Sequence, residues 1–349
     1  MQHTQVNLTL ENGKTVPAAA PVIISASRAT DIPAFYPEWL LERLNQGYVK
    51  WVNPFSGKPQ YVSFAKTRAF VFWTKNPEPM FRILDIIDSR GYNYYFLFTL
   101  NDYDLEKFEP RVPSYKTRIS VFRELSRRIG PERVIWRYDP ILRIPGLGVE
   151  ETLQRIECTG TDLLGTTHKL VFSFAQIINY KKVADNLTRL RPDLYQRQAL
   201  KAVEWNDEEK YKIAEGLCLM SGKWKKTIPQ FKVSSCAEPM DFSGLDITHN
   251  RCIDDNLFAQ LFPNDSELMN FLGADKNKFQ QLLWSPAGNQ KKVKKLKDKG
   301  QRKECGCILS KDIGAYTTCP HGCIYCYANT SPEAAAGRYA VHKTNEDSL

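Results

Sequence analysis

The sequence has no run approaching the roughly 18 consecutive apolar residues that a membrane span requires. Its first twenty residues, MQHTQVNLTLENGKTVPAAA, contain no apolar stretch of the kind a secretory leader carries. Both absences argue against a membrane or exported protein, so a bacterial-type cytoplasm is the expected compartment. Histidine is also scarce, with five residues in 349. Neither His168 nor His249 has ligand-like spacing, so core or surface roles are expected for them. Metal chemistry, if the chain has any, must therefore rest mainly on other side chains.

What is present is ordinary in bulk: 42% hydrophobic, 25% charged and 12% aromatic, the composition of a globular protein. The length allows one large α/β domain or two smaller ones. A net charge of +9 favours a polyanionic partner. It is concentrated in KKVKKLKDKGQRK (291–303), where eight of thirteen residues are Lys or Arg. A solvated face and a nucleic-acid phosphate contact both fit that run. Cysteine placement is more informative. Of nine cysteines, seven lie at or beyond position 236: Cys236, Cys252, Cys305, Cys307, Cys319, Cys323 and Cys326. Without a leader, such clustering points to metal or cluster ligation rather than disulfides. Cys158 and Cys218 stand alone in helical patterns and are expected to be core thiols.

Six short apolar runs punctuate the first two thirds of the chain: 22–27, 69–74, 94–99, 133–138, 169–174 and 230–235. Continuous apolar runs of this length fit strands buried on both faces. Helical patterns at 37–47, 79–91 and 115–130 alternate with them, and the last two end on glycine. Alternating strands and helices predict an α/β fold with a parallel sheet or barrel. Polar residues follow the strand runs in SRATD, KNP, LNDY and DPI. The C-terminal ends of strands are where such folds build their sites. Turn chemistry accounts for the Asp, Asn and Pro residues but not for Lys75 and Arg137.

The segment CPHGCIYCYAN (319–329) spaces three cysteines as C-x3-C-x2-C. Three thiolates can hold three irons of a [4Fe–4S] cluster and leave the fourth open. Zinc with His321 as a fourth ligand is the alternative. The motif resembles the C-x3-C-x-φ-C signature of the radical S-adenosylmethionine (SAM) superfamily, with Tyr325 as its aromatic residue. That resemblance implies a [4Fe–4S] cluster on Cys319, Cys323 and Cys326, with SAM bound at the open iron and Tyr325 against its adenine. It also implies an electron donor such as flavodoxin or ferredoxin.

In that superfamily the loop follows the first strand of a partial (β/α)6 barrel. Here it lies near the C-terminus, which implies a circular permutation: 311–318 as the first strand, 331–341 as its helix, and 22–27 as the next strand. Read in that order, SASRATDIP, FWTKNP, FTLNDYDLEKFEPRVPSYKTR and RYDPILRIPG resemble the segments of spore photoproduct lyase-like proteins. The whole chain resembles more closely the domain of unknown function 1848 family. By this resemblance Ser27, Lys75 and Thr99 contact the polar ends of SAM. Arg118 and Arg137 pair with Asp139, Glu109 or a substrate phosphate. Residues 22–31 contain no cysteine to serve as the lyase's hydrogen donor; serines stand at 25 and 27.

The four cysteines Cys236, Cys252, Cys305 and Cys307 suffice for a closed site, either a second [4Fe–4S] cluster or Zn. Independent buried thiols are the remaining alternative. The expected organisation is an N-terminal extension (1–20), barrel units (21–235), a cysteine-bearing insertion (236–309) with the basic loop, and a permuted first barrel unit (310–349). Three functions stay open: a radical SAM enzyme acting on nucleic acid or a nucleotide, one acting on a peptide or small metabolite, and a zinc-stabilised nucleic-acid-binding protein.

Overall fold

A computed structural model describes residues 3–54, 56–273 and 296–349. Positions 291–295 of the basic run therefore lie outside the described residues. In chain order the strands are β1 (Thr4–Thr9), β2 (Thr15–Ala20), β3 (Ile23–Ala26), β4 (Tyr48–Val52), β5 (Pro59–Ser63) and β6 (Ala69–Thr74). They continue as β7 (Asn93–Thr99), β8 (Val134–Ile141), β9 (Lys169–Phe174), β10 (Lys232–Ser235), β11 (Thr248–His249) and β12 (Lys311–Asp312). The helices are α1 (Ile32–Phe35), α2 (Pro37–Gln46), α3 (Phe81–Ser89), α4 (Tyr115–Ile129) and α5 (Val149–Asp162). After them come α6 (Lys181–Leu190), α7 (Asp207–Trp224), α8 (Asp255–Leu261), α9 (Ser266–Leu272) and α10 (Pro332–Val341).

Eight strands form one sheet in the order β11-β10-β9-β8-β7-β6-β3-β12, and every neighbouring pair is parallel. All six apolar runs of the sequence are strands of this sheet. Beyond these six, β12 lies where the permuted first strand was expected, and the two-residue β11 adds the opposite edge. At one edge β12 runs alongside β3, with Lys311 opposite Ile24 and Asp312 opposite Ser25. The chain after residue 310 thus adjoins the first strand of this sheet in sequence. Residues 311–318 were expected to be strand throughout, yet pairing stops at Asp312. The Asp312 side chain turns back to accept from the Gly314 N–H (2.9 Å), and Thr317 adopts φ 62°.

Strand side chains alternate between faces. On β6, Phe70 and Phe72 join one apolar cluster while Ala69, Val71 and Trp73 join another. The first cluster takes in residues of α1 to α7; the second takes in α8, α9, Leu296, Cys307 and Ile308. The cysteine-bearing stretch thus covers one face of the sheet while the alternating helices cover the other. This is why the strands read as unbroken apolar runs. Truncating a fully buried ring such as Phe72 to Ala would cost roughly 3–5 kcal/mol.

Residues 4–20, expected as an extension, form a hairpin within a second sheet of order β1-β2-β5-β4. That sheet meets the C-terminal segment through Trp51 Nε1–H to the Gly314 carbonyl (3.1 Å) and the Lys50 N–H to the Asp347 carbonyl (2.7 Å). Of the two isolated cysteines, Cys218 is half-buried and Cys158 is exposed. On α5 the inward positions are Thr152, Ile156, Thr159 and Gly160, and Cys158 falls outside that stripe. No helix among the described residues is long and apolar enough to cross a membrane.

Candidate functional site

The residues that follow consecutive strands are hydrogen-bonded to one another. Asp31, beyond β3, accepts from the Lys75 N–H beyond β6 (2.7 Å). Asn101, beyond β7, accepts from the Asp139 N–H on β8 (2.9 Å). This gathering at the C-terminal strand ends is what the polar residues after the apolar runs predicted. The loop 319–329 is seated on it.

Backbone contacts hold the loop. Ile324 N–H donates to the Phe108 carbonyl (2.9 Å), and Arg111 N–H donates to the His321 carbonyl (3.1 Å). Gly322 makes the reversal at φ 73°, a left-handed conformation that disfavours other residues. Upstream, Gly314 crosses the turn after β3 so closely that a Cβ would stand 1.9 Å from Ser27 Oγ. Around this crossing Thr30 Oγ1 bonds the Ala315 carbonyl (2.8 Å) and Thr318 Oγ1 (2.7 Å), and Tyr36 O–H donates to the Thr318 carbonyl (2.6 Å).

Tyr325 points inward and is 8% exposed. Its O–H donates to Glu109 and receives bonds from Lys75 Nζ (3.1 Å) and Asn101 Nδ2 (3.0 Å). Glu109 is the hub, bound also by Lys75 Nζ (2.8 Å), Asn101 Nδ2 (3.1 Å) and Arg118 (3.4 Å). Burial alone would raise its carboxyl, but the Lys75 and Arg118 charges outweigh burial and hold it below the ordinary range. Burial, then the Glu109 charge, pushes the Tyr325 hydroxyl well up, so it acts as a donor. Arg118 is spent within this network, on Glu109, Asp104 and two carbonyls.

Of the residues expected to meet SAM, the structure brings Lys75 and Tyr325 together. Ser27 Oγ lies in the adjoining turn, accepting from the Ala29 and Thr30 N–H groups (3.0 and 3.2 Å). Thr99 ends β7 opposite Arg137 and stands outside the Lys75–Tyr325 network. The residues that sequence reasoning undervalued are Glu109, Asn101 and Asp31. All three lie in the quoted segments, but only the fold shows that Glu109 is the common acceptor.

The three loop thiols are half-buried, and desolvation pushes Cys319 up to about 12 and Cys323 and Cys326 upward as well. A cation at the loop would be needed to hold them as thiolates. The Cys319 sulfur accepts from the backbone N–H groups of His321 and Asp31, and the Cys326 sulfur from that of Asn329 (3.4 Å). His321 Nε2 is held by Asp31 (2.7 Å), while its buried Nδ1 has no partner.

The other four cysteines also assemble. The Cys236 and Cys252 sulfurs are 3.5 Å apart; Cys252 also contacts Cys307, and Cys307 contacts Cys305. The contact with Cys252, then the Arg137 charge, lowers Cys236 to about 6 despite burial. Among the described residues, no group of three or more His, Cys, Asp or Glu side chains already stands in metal-holding geometry. The four thiols here bond one another instead of surrounding a point. The described part of the basic run packs beside them: Lys297 Nζ is held by the Lys303 carbonyl (2.6 Å), and Asp298 N–H by that of Cys307 (2.9 Å).

No curated protein and no solved structure matches this chain. A family model does match, over residues 23–328, a span from β3 to the end of the cysteine loop. The chain therefore belongs to the family described as Domain of unknown function (DUF1848).

Proposed function

We propose that this protein is a radical SAM enzyme whose sheet is a circularly permuted partial barrel. The observation that carries the reading is the loop of three half-buried thiols, Cys319, Cys323 and Cys326, seated where the strands of a parallel sheet end. The pairing of β12 with β3 supports the permutation, because it sets the strand before the loop next to the first strand of the chain's own sheet. Three thiols in one loop fit a [4Fe–4S] cluster with one open iron. Bound there, the cluster would supply one electron to cleave SAM into methionine and a 5′-deoxyadenosyl radical that abstracts a substrate hydrogen.

The chain's own residues bind and orient. The Glu109 hub fixes Tyr325, and through it the turn between Cys323 and Cys326. Lys75 is the cation beside that turn, suited to a carboxylate as a point charge, and here it is occupied by Glu109 (2.8 Å). The net charge of +9 favours a nucleic acid or nucleotide as substrate, and a flavodoxin- or ferredoxin-type donor would supply the electron. A second reading rests on one observation. A His whose Nε2 donates to a carboxylate and whose Nδ1 is free is set as metal-ligating histidines are, so His321 could complete a zinc site with the loop thiols.

Metal analysis of anaerobically reconstituted protein, with EPR of the reduced form before and after SAM addition, tests both readings. Iron, sulfide, a SAM-perturbed signal and 5′-deoxyadenosine are expected. Loop-bound zinc with no SAM effect would overturn the enzyme reading.

A further inference from the structure

The second thiol group stands apart from the loop and draws on three separate segments. Cys236 directly follows β10 and continues its pairing, its N–H donating to the Phe172 carbonyl (2.7 Å). Cys252 precedes α8, and its carbonyl is held by the Tyr95 hydroxyl (2.7 Å) from the underlying sheet. Cys305 and Cys307 flank Gly306, and the Cys307 sulfur accepts from the Ile253 N–H (3.4 Å). Cys252 is 5% exposed and Cys307 2%. Three separate segments thus deliver four thiols to one place, with Cys252 and Cys307 buried and Cys236 and Cys305 half-buried.

Thiol clustering alone would be compatible with inert core cysteines. The arginines beside it are not explained that way. Arg137 reaches from β8, 8% exposed, with one guanidinium nitrogen 3.9 Å from the Cys236 sulfur. It pairs with Asp139, yet its Nε is buried without any partner. Arg28 lies over the Trp73 ring at 5.0 Å, reaches Cys307, and also has a buried guanidinium nitrogen without a partner. A buried donor left unpaired is destabilising, and more so when the group is charged.

Local charge points the same way. Four cations act on these thiols: Arg28, Arg137, Lys169 and Arg302. Three carboxylates accompany them: Asp312, Asp139 and Asp254. Protonated thiols offer these cations no negative charge. Four thiolates around a core of charge +2 carry −2 and present sulfur acceptors to both arginines.

We propose that Cys236, Cys252, Cys305 and Cys307 form a second, closed metal centre of net charge −2, with a Zn2+ or [4Fe–4S]2+ core, held by Arg28 and Arg137. The thiols here bond one another, but with zinc as the core little movement is needed for the Cys236–Cys252 pair. Zinc–sulfur bonds of about 2.3 Å give a tetrahedral edge of about 3.8 Å, roughly 0.3 Å beyond the present 3.5 Å separation. Four protein ligands leave no open position, so the centre is structural or passes electrons. The proposal does not depend on the first loop holding anything.

The test uses the full chain with the loop disabled. The C319A/C323A/C326A variant is isolated, then reconstituted anaerobically with iron and sulfide, and a parallel sample is loaded with zinc. Iron, sulfide and zinc are counted per chain. About four irons with sulfide, or about one zinc resistant to dialysis, is expected, and the two arms identify the core. Adding C236A and C252A should abolish that metal. Arg137→Gln, which leaves all four ligands in place, should weaken retention against a chelator by about 10–100-fold, as loss of a ligand-supporting residue does. No stoichiometric metal in a folded loop variant, or unchanged retention in Arg137→Gln, would overturn the proposal. Failure of the SAM reading would appear separately, as a wild-type protein whose EPR signal ignores SAM.

Discussion

The two thiol groups of this chain are built on opposite plans. The loop group takes all three sulfurs from eight consecutive residues, and its charged neighbour, Glu109, is already satisfied by Lys75, Asn101, Arg118 and Tyr325. The other group takes four sulfurs from three segments, and its neighbours, Arg28 and Arg137, keep unpaired buried nitrogens. A ligand set made by one loop can tolerate a missing ligand position, because the backbone alone holds its shape. A set gathered from distant segments is held by what it binds. The first plan suits an open centre and the second a closed one.

Four experiments would break or sharpen that contrast. The largest effect is expected from C319A/C323A/C326A, which should bring SAM cleavage to background while sparing the metal of the other group; 5′-deoxyadenosine release and metal counts check both halves. Next comes Glu109→Gln. Breaking a buried ion pair from one side costs about 3–5 kcal/mol, read by urea unfolding. The change should speed alkylation of the loop thiols and leave Cys236 and Cys305 unaffected.

The same substitution carries a pH signature. The Glu109 carboxyl is held below its ordinary value of 4.5, so its contribution is full above that value. It is lost as pH falls through the lower folded value, and the difference from wild type should shrink on acidification. Gly314→Ala comes third, at about 1–3 kcal/mol for overpacking against Ser27, with both groups disturbed because Arg28 adjoins that turn. Smallest is Arg82→Gln, which removes an exposed pair with Glu38 and should change stability by about 0–1 kcal/mol and neither thiol group. A large effect there would mean that the contrast between buried and exposed charge has been misread.

Much of the main sheet was legible because buried parallel strands leave a direct trace, and each of the six apolar runs is a strand. The polar residues past the strands were legible as a group, but their wiring was not. Nothing local marks Glu109 as the acceptor shared by Lys75 and Tyr325, since these residues are brought together only by folding. The hairpin β1–β2 was missed for a related reason. TQVNLT is polar and mostly exposed, and β2's other neighbour, β5, comes some forty residues later. Position 158 shows the limit of residue type as a guide: cysteine favours burial, but α5 needed its inward stripe elsewhere. The covering of the sheet's second face by α8, α9 and residues 296–308 left no periodic signal strong enough to read.

The edge pair β12–β3 has a consequence for how the molecule is assembled. Ser25 Oγ meets Asp312 Oδ2 at 2.7 Å across 287 positions of sequence. Closing a free loop of that length costs about 5 kcal/mol beyond a fixed term, and contacts so distant are among the slowest to form. Intervening strands shorten the gap as they pair, so β12 docks cheaply only onto a sheet that already exists. The loop that follows it inherits this order. Its three thiols reach their seats after the sheet is built, and the connectivity of the chain thereby times when the loop can settle on the strand ends.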